Sequence, residues 1–362
     1  MTSCGLLTDP KEQANFLLTD ATRNVSYFDP KKLWRSKCTL TKRSSRASTL
    51  LAAGHDDVWL ADGKHINRVI NDANEVSTQY VKELEESILQ LEGFACLNAP
   101  SLLGARCAGA LVLVDATRAE PVTWQYKALD ISTSRQVPGE LFAVSSFEVV
   151  LLNPMSQKPI ARMPTNEPVD VCVSGSHPRM AYVGGDRILR ADFRAKSVDI
   201  WMPANPPTYY AGLVADWEGG CMHQWGALAC SLAQPHLLAA VSLRSKALVV
   251  YDTRWIKAPV AEWALPRDDN ASYTHIEWNE KGDKLLAYAP NAQHVAIIER
   301  TNARSSLCVG ACSQTCSCSG LYSNMSLIDA GQVQSACFAN NDTILVATSK
   351  GALTAYTQNP SE

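Results

Sequence analysis

Four cysteines close together late in the chain, Cys308, Cys312, Cys316 and Cys318, form its densest group of candidate metal ligands. Structural zinc takes four soft ligands at the corners of a tetrahedron, usually delivered as separated pairs with two-residue knuckles. Here the cysteines are separated by three, three and one residues, and a Cys-x-Cys step strains a single tetrahedron. Segment 301–324, TNARSSLCVGACSQTCSCSGLYSN, therefore reads as a Ser- and Cys-rich surface loop, with zinc binding and thiol redox chemistry as the alternatives. Other cysteines, such as Cys96, Cys107, Cys172, Cys230 and Cys337, sit in apolar strand-like runs, where a reduced thiol is a small core residue.

Acid–base chemistry finds little to work with. The seven histidines, His55, His65, His177, His223, His236, His275 and His294, are dispersed. His55 follows Gly54 and His177 precedes Pro178, which places both in turns, with a hydrogen-bonding role. There is no nucleophile elbow, Gly-rich phosphate loop or His-Glu helix pair, so neither an enzyme nor a cofactor is expected.

Residues 31–46, KKLWRSKCTLTKRSSR, offer a different chemistry. Lys31, Lys32, Arg35, Lys37, Lys42, Arg43 and Arg46 follow one another with no acidic residue between them. Such a stretch can neutralise phosphates or serve as a nuclear import signal, and Trp34 could stack on a base. The plainer reading is a solvated strand edge or linker, whose Lys and Arg deter aggregation.

Whatever these residues do, short β-strands must hold them. Paired apolar runs joined by polar turns recur at 50–62, 109–124, 140–154, 179–194, 237–254, 284–300 and 343–358. Runs rich in Leu, Ala and Val around a Gly, Ser or Asn turn are β-hairpins. Seven units across this length give a mean period of roughly 50 residues, near that of propeller blades. VDVCVSG (169–175), HIEWNE (275–280) and VQSACFAN (333–340) each lie just upstream of a hairpin. Segments 169–194, 275–300 and 333–358 then align as three consecutive strands of a blade.

The expected fold is all-β: a WD40-like β-propeller of seven blades, with another large β architecture as the alternative. The blades should fill 48–358, after an N-terminal segment 1–47 that carries the basic stretch and could supply a closing strand. The Gly-His and Trp-Asp dipeptides of the WD40 class are mostly missing; Tyr251-Asp252 comes near, with Asp115 and Asp192 in similar places. One interruption stands out. In EVSTQYVKELEESILQLE (75–92), Val76, Tyr80, Leu84, Ile88 and Leu91 fall at three- and four-residue spacing, which predicts a helical insertion that packs on the propeller or receives a partner.

Asp-x-Arg steps close two of the apolar runs, at Asp192-Phe193-Arg194 and Asp252-Thr253-Arg254, with a looser Asp115-Ala116-Thr117-Arg118. An Asp in such a turn accepts neighbouring hydrogen bonds while the Arg projects to one face, so Asp192, Arg194, Tyr251, Asp252 and Arg254 are the candidate partner-binding residues. Tyr251-Asp252-Thr253-Arg254 resembles the Trp-Asp-x-Arg box by which many propellers dock on the DDB-type adaptor of cullin-RING ubiquitin ligases. His177-Pro178-Arg179, Gly185-Asp186-Arg187 and Asp192-Phe193-Arg194, followed by Asp252-Thr253-Arg254, Pro259 and Trp263, are similar to a series in another propeller family. That family is the promoter-recognition, TATA-binding-protein-associated subunit of the RNA polymerase I selectivity factor, whose yeast counterpart belongs to core factor. The likeness covers about 177–263, and this chain lacks the long helical and disordered C-terminal extensions expected of that family. It implies a propeller that joins other protein subunits at the ribosomal DNA promoter.

Hydrophobic residues at 46% supply a core, and charged residues at 19% with a net charge of −3 give no global case for nucleic acid or membrane. The N-terminus, MTSCGLLTDPKEQANFLL, has no signal-peptide pattern, and no run is long enough to span a bilayer. The expectation is a soluble scaffold, nuclear or nucleolar and otherwise cytoplasmic. Its partners would be proteins, with at most weak or indirect DNA contact and no small-molecule substrate.

Overall fold

The computed structural model describes residues 34–41, 49–53, 57–71, 76–94, 101–117, 120–153, 159–202, 225–243, 247–254, 259–265, 273–300 and 322–358. Every regular element among them is a β-strand. They form seven four-stranded antiparallel sheets, the blades of a β-propeller.

Among the described residues β1 (Trp34–Thr41) comes first. The first blade is β2 (Thr49–Ala53), β3 (Val58–Asp62), β4 (His65–Asn71) and β5 (Val76–Glu83). The second is β6 (Gln90–Gly93), β7 (Leu102–Arg106), β8 (Ala110–Asp115) and β9 (Val122–Gln125). In the third come β10 (Asp130–Thr133), β11 (Leu141–Ser145), β12 (Glu148–Leu152) and β13 (Ala161–Pro164). The fourth holds β14 (Val169–Ser174), β15 (Met180–Gly185), β16 (Ile188–Asp192) and β17 (Ser197–Met202). In the fifth are β18 (Trp225–Cys230), β19 (Leu237–Ser242), β20 (Ala247–Asp252) and β21 (Ala261–Ala264). The sixth has β22 (His275–Trp278), β23 (Lys284–Tyr288), β24 (His294–Arg300) and β25 (Tyr322–Asp329). The seventh takes β26 (Val333–Asn340), β27 (Thr343–Thr348) and β28 (Ala352–Gln358), with β1 as its outer strand.

The strands β2, β6, β10, β14, β18, β22 and β26 contact one another in succession, from blade to blade and back to the start, and so line a central channel. The second strand of each blade is predominantly apolar and buried because a blade has neighbours on both sides. Successive side chains of a strand point to opposite faces. In β19, Leu237, Ala239 and Val241 pack toward the sixth blade, while Leu238 and Ala240 pack toward the fourth. A separate buried apolar cluster fills each of the seven seams. Burial on both faces turns the alternation of a half-exposed strand into a continuous apolar run.

The ring closes by strand exchange between the two ends of the chain. β1 pairs antiparallel with β28, from Trp34 opposite Gln358 to Thr41 opposite Ala352, with a bulge between Ser36 and Cys38. One face of the disc carries the blade-to-blade connections and the turns between second and third strands; we call it the front. The back carries the other turns.

Two expectations need correction. Residues 75–92 contain no helix: Val76–Glu83 is β5, paired with β4, and Gln90–Gly93 is β6. Tyr80 is exposed on the outer strand, whereas Leu84, Ile88 and Leu91 enter the seam between the first and second blades. The apolar period was real, but the chain satisfies it with a bend: Leu84 N and Ile88 N donate to the Lys64 and Gly63 carbonyls, at 2.9 and 2.8 Å. A fourth-strand ladder with a long tertiary partner outweighs a few tenths of helix propensity per residue. The first two hairpins are also framed differently from the rest, because 50–62 spans the first and second strands of its blade and 109–124 the third and fourth. The other five hairpins are second-to-third strand pairs. Of segment 301–324, residues 322–324 open β25 and the remainder lies outside the described residues.

Candidate functional site

The Asp-x-Arg steps lie on the back of the fourth and fifth blades, just after their third strands. Asp192 is opposite Met180 in the ladder, and Phe193 N donates to Arg179 O at 3.0 Å, which fixes the chain direction out of β16. Asp192 Oδ1 accepts from Arg194 N at 3.0 Å and Ala195 N at 3.3 Å. The Arg194 guanidinium folds back over it, with Nε to Oδ1 at 3.1 Å and Nη2 to Oδ2 at 2.8 Å. Asp252 repeats the device: Thr253 N donates to His236 O at 2.7 Å, Arg254 N to Oδ1 at 2.9 Å, Arg254 Nε to Oδ1 at 2.9 Å and Nη2 to Oδ2 at 2.6 Å. In the second blade Asp115 takes Thr117 N and Oγ1 instead, and Arg118 lies outside the described residues.

Each bracket is a charge-assisted fork, in which an ionised donor and acceptor shorten and align the bonds. The Arg194 guanidinium, aided by the two backbone N–H groups, pulls the Asp192 carboxyl down to about 2, and Arg254 lowers Asp252 in the same way. The arginines are thus held in one geometry with their outer edges exposed; the Arg254 side chain is 69% exposed. Tyr251 is different. It is buried, with its ring edge-on to Trp201 at 6.2 Å, so it steadies the seam and presents no surface to a partner.

Between these blades opens a cleft of about 280 Å³, lined by Arg190, Asp199, Ile200, Trp201, Thr253 and Arg254. β17 supplies one wall because its alternation sends Trp201 into the seam, against Tyr182 at 5.1 Å, and leaves Ile200 58% exposed. Arg190 and Asp199, ladder partners on β16 and β17, form an ion pair at 3.3 Å. The cleft offers a fixed pair of guanidiniums beside an aliphatic and an aromatic wall. Arg and aromatic side chains are the groups that dominate interface energetics.

The motif residues around 177–187 are seam hardware. Arg179, in the left-handed region at φ 55°, holds the fully buried Glu140 of the third blade through Nε at 3.0 Å and Nη2 at 2.8 Å. Arg187 pairs with Glu167 at 3.3 Å across the front of the fourth blade. Gly185 is obligatory in a steric sense, because a Cβ there would overlap the Pro168 carbonyl oxygen.

The central channel holds a set of polar residues that the motif search did not single out. Gln90 Nε2 donates to Asp130 Oδ1 at 2.7 Å, and Arg106 Nε donates to Gln90 Oε1 at 3.1 Å. Glu92 Oε2 accepts Thr133 N at 3.0 Å, Asp130 Oδ2 accepts Cys172 N at 2.7 Å, and Ser132 Oγ accepts Ser174 N at 3.0 Å. Arg135 reaches past a whole blade to the Cys230 carbonyl. These groups line the channel yet are enclosed by protein. Enclosure pushes Glu92 and Glu277 up to about 8 and Asp130 up to about 6, and holds His275 down at about 4. Their signal was in the sequence: Glu92 to Thr133, Asp130 to Cys172 and Ser132 to Ser174 are spaced by 41, 42 and 42 residues.

The other candidates are not brought together with this site. Arg35 and Lys37 belong to β1, while Lys31, Lys32, Lys42, Arg43 and Arg46 lie outside the described residues. So do Cys308, Cys312, Cys316 and Cys318. Cys107, Cys172, Cys230 and Cys337 are buried free thiols. Among the described residues no group of three or more His, Cys, Asp and Glu side chains could hold a metal ion, and no helix is long and apolar enough to cross a membrane.

No family model and no curated protein sequence matches the chain. Solved structures do. A chain of the crystal structure of the mitotic checkpoint complex superimposes with a TM-score of 0.62 at 13% identity, over 90% of this chain and 96% of that one. In all, 1363 chains of solved structures match, so the likeness defines a fold class, the WD40-like propeller, and no particular role within it.

Proposed function

We propose that this chain is a non-enzymatic scaffold that docks protein partners on the back of its fourth and fifth blades. The observation that carries the reading is the cleft whose guanidinium wall, Arg190 and Arg254, is held rigid by Asp199 and Asp252. Pre-organised side chains lose little freedom on binding, which is where affinity is gained. The matched neighbour comes from a multiprotein complex, in keeping with protein partners.

The particular assembly we propose is an RNA polymerase I initiation complex at ribosomal DNA, in the nucleus and its nucleolus, with other selectivity-factor subunits as partners. Support comes from the series His177-Pro178-Arg179, Gly185-Asp186-Arg187 and Asp192-Phe193-Arg194, and the basic stretch 31–46 suits a DNA-proximal place. The second reading, a substrate receptor of a cullin-RING ubiquitin ligase, is favoured by one feature: Tyr251-Asp252-Thr253-Arg254 resembles the Trp-Asp-x-Arg docking box, and its Arg254 side chain is 69% exposed. Affinity purification of the full chain with mass spectrometry separates them. Polymerase I factors are expected; recovery of adaptor and cullin, lost in Arg254→Ala with unchanged circular dichroism, would establish the second reading and overturn the first.

A further inference from the structure

The Asp-x-Arg brackets hide one end and present the other. In the fifth blade the Asp252 side chain is 20% exposed beneath an Arg254 side chain that is 69% exposed, and in the fourth Asp192 is 19% exposed beneath Arg194 at 49%. Each pair sums to no charge, yet its guanidinium is outermost, so an approaching group meets donors before it meets the carboxylate. Arg254 spends Nε and one bond from Nη2 on Asp252. A guanidinium has five N–H donors and no acceptor, which leaves Nη1 and the second Nη2 proton along its outer edge.

Arg190 lines the same cleft from the fourth blade and gives Nη2 to Asp199 at 3.3 Å, which leaves its Nε and Nη1. Asp199 Oδ2 takes both that bond and one from Ser197 Oγ at 3.2 Å, and the Thr253 hydroxyl is hydrogen-bonded to Tyr182. Arg190 and Arg254 against Asp199 and Asp252 cancel as whole charges, so no charge excess is at work; the orientation of the pairs and the spare donors are. Exposed Ile200 and the Trp201 wall stand beside those donors in the one cleft.

We propose, resting on the docking role of this cleft, that its partner is a protein segment with an aspartate or glutamate next to a large apolar residue. The partner's carboxylate takes the outer edge of Arg254, facing Arg190, in a charge-assisted fork, and the apolar neighbour covers Ile200 and Trp201. A carboxylate suits the cleft better than a phosphate, because the Asp199 charge in the lining opposes a dianion about twice as strongly.

Selection of random displayed peptides on the immobilised full chain tests this, with the selected peptides then labelled and measured by fluorescence anisotropy. Enrichment of Asp or Glu beside a large apolar residue is expected. Binding should weaken at least tenfold in Arg254→Ala and tighten at least twofold in Asp199→Asn, which removes the opposing charge; exchanging the peptide's acid for phosphoserine should weaken it. Both substitutions replace exposed side chains, so thermal melting should stay near that of the parent. Enrichment of basic or uncharged peptides that still need Arg254 would overturn the acidic partner and leave the docking cleft standing. No enrichment, binding indifferent to Arg254→Ala, weaker binding in Asp199→Asn or tighter binding of phosphoserine would also overturn the proposal. The docking role itself falls only if the proteins purified with the full chain are retained unchanged by Arg254→Ala.

Discussion

Glu140 and Arg179 show how much one residue's role depends on its partner. Glu140 is wholly buried in the third blade, and the fork from Arg179, itself 45% exposed, is what permits a carboxylate there. Removing Arg179 strands the carboxylate, whereas Glu140→Gln keeps an acceptor and discards the charge. A buried pair broken from one side typically costs several kcal/mol, reduced here because the guanidinium is half in water. Arg179→Ala should therefore lose about 2 kcal/mol in urea unfolding, more than Glu140→Gln, and adding Glu140→Gln to Arg179→Ala should recover part of the loss. Equal losses, or no recovery, would place the stabilising role elsewhere.

At the scale of elements, the middle strands were legible because burial on both faces writes itself as unbroken apolar runs, as in Leu237–Ser242 and Met180–Gly185. The inner strands were harder. They are short and carry polar side chains, so Gln90, Glu92 and Asp130 read as ordinary polar residues until the ring brings blade next to blade. The outer strand Val76–Glu83 was mistaken for a helix because its own period cannot show that β4 waits beside it. Of the candidate site, the Asp-x-Arg pairs were visible as local motifs, but the cleft that Arg254 lines needs Trp201 and Ile200 from the neighbouring blade. Gly185 carries a sharper test of element packing. Gly185→Ala sets a methyl group against the Pro168 carbonyl, and β15 and β14 must part to admit it. The cost should be about 1–3 kcal/mol, as for other overpacked sites. A thermal melt unchanged from the parent would show that the connection yields freely.

For the whole molecule, the channel sets a pH dependence. Glu92 and Glu277 hold their protons up to about 8 in the fold, well above an exposed carboxyl. Between about pH 4.5 and 8 the folded chain therefore binds more protons than the unfolded one, and stability falls as pH rises through that window, levelling off above it. Asp130, raised to about 6, adds to the acidic half of the slope. His275, held down to about 4, acts with the opposite sign between there and its ordinary 6.5, one group against three, while Asp192 opposes only toward pH 2, outside this range. Urea midpoints at pH 5, 7 and 8.5 should decline in that order, and the double variant Glu92→Gln, Glu277→Gln should flatten the decline; a midpoint that rises with pH would contradict the assignment.

The pairing of β1 with β28 has a consequence in time. A chain leaving the ribosome makes Trp34–Thr41 long before its partner Ala352–Gln358, so the ring must remain open while all the strands between them are made. Contacts so distant in sequence form slowly, because the loop between them must be closed first. Until then β28 exposes a bare edge and the first blade lacks its neighbour. The newborn propeller is thus most vulnerable to sticking and to proteases until Ala352–Gln358 meets β1, and its maturation should depend on whatever shields that open seam.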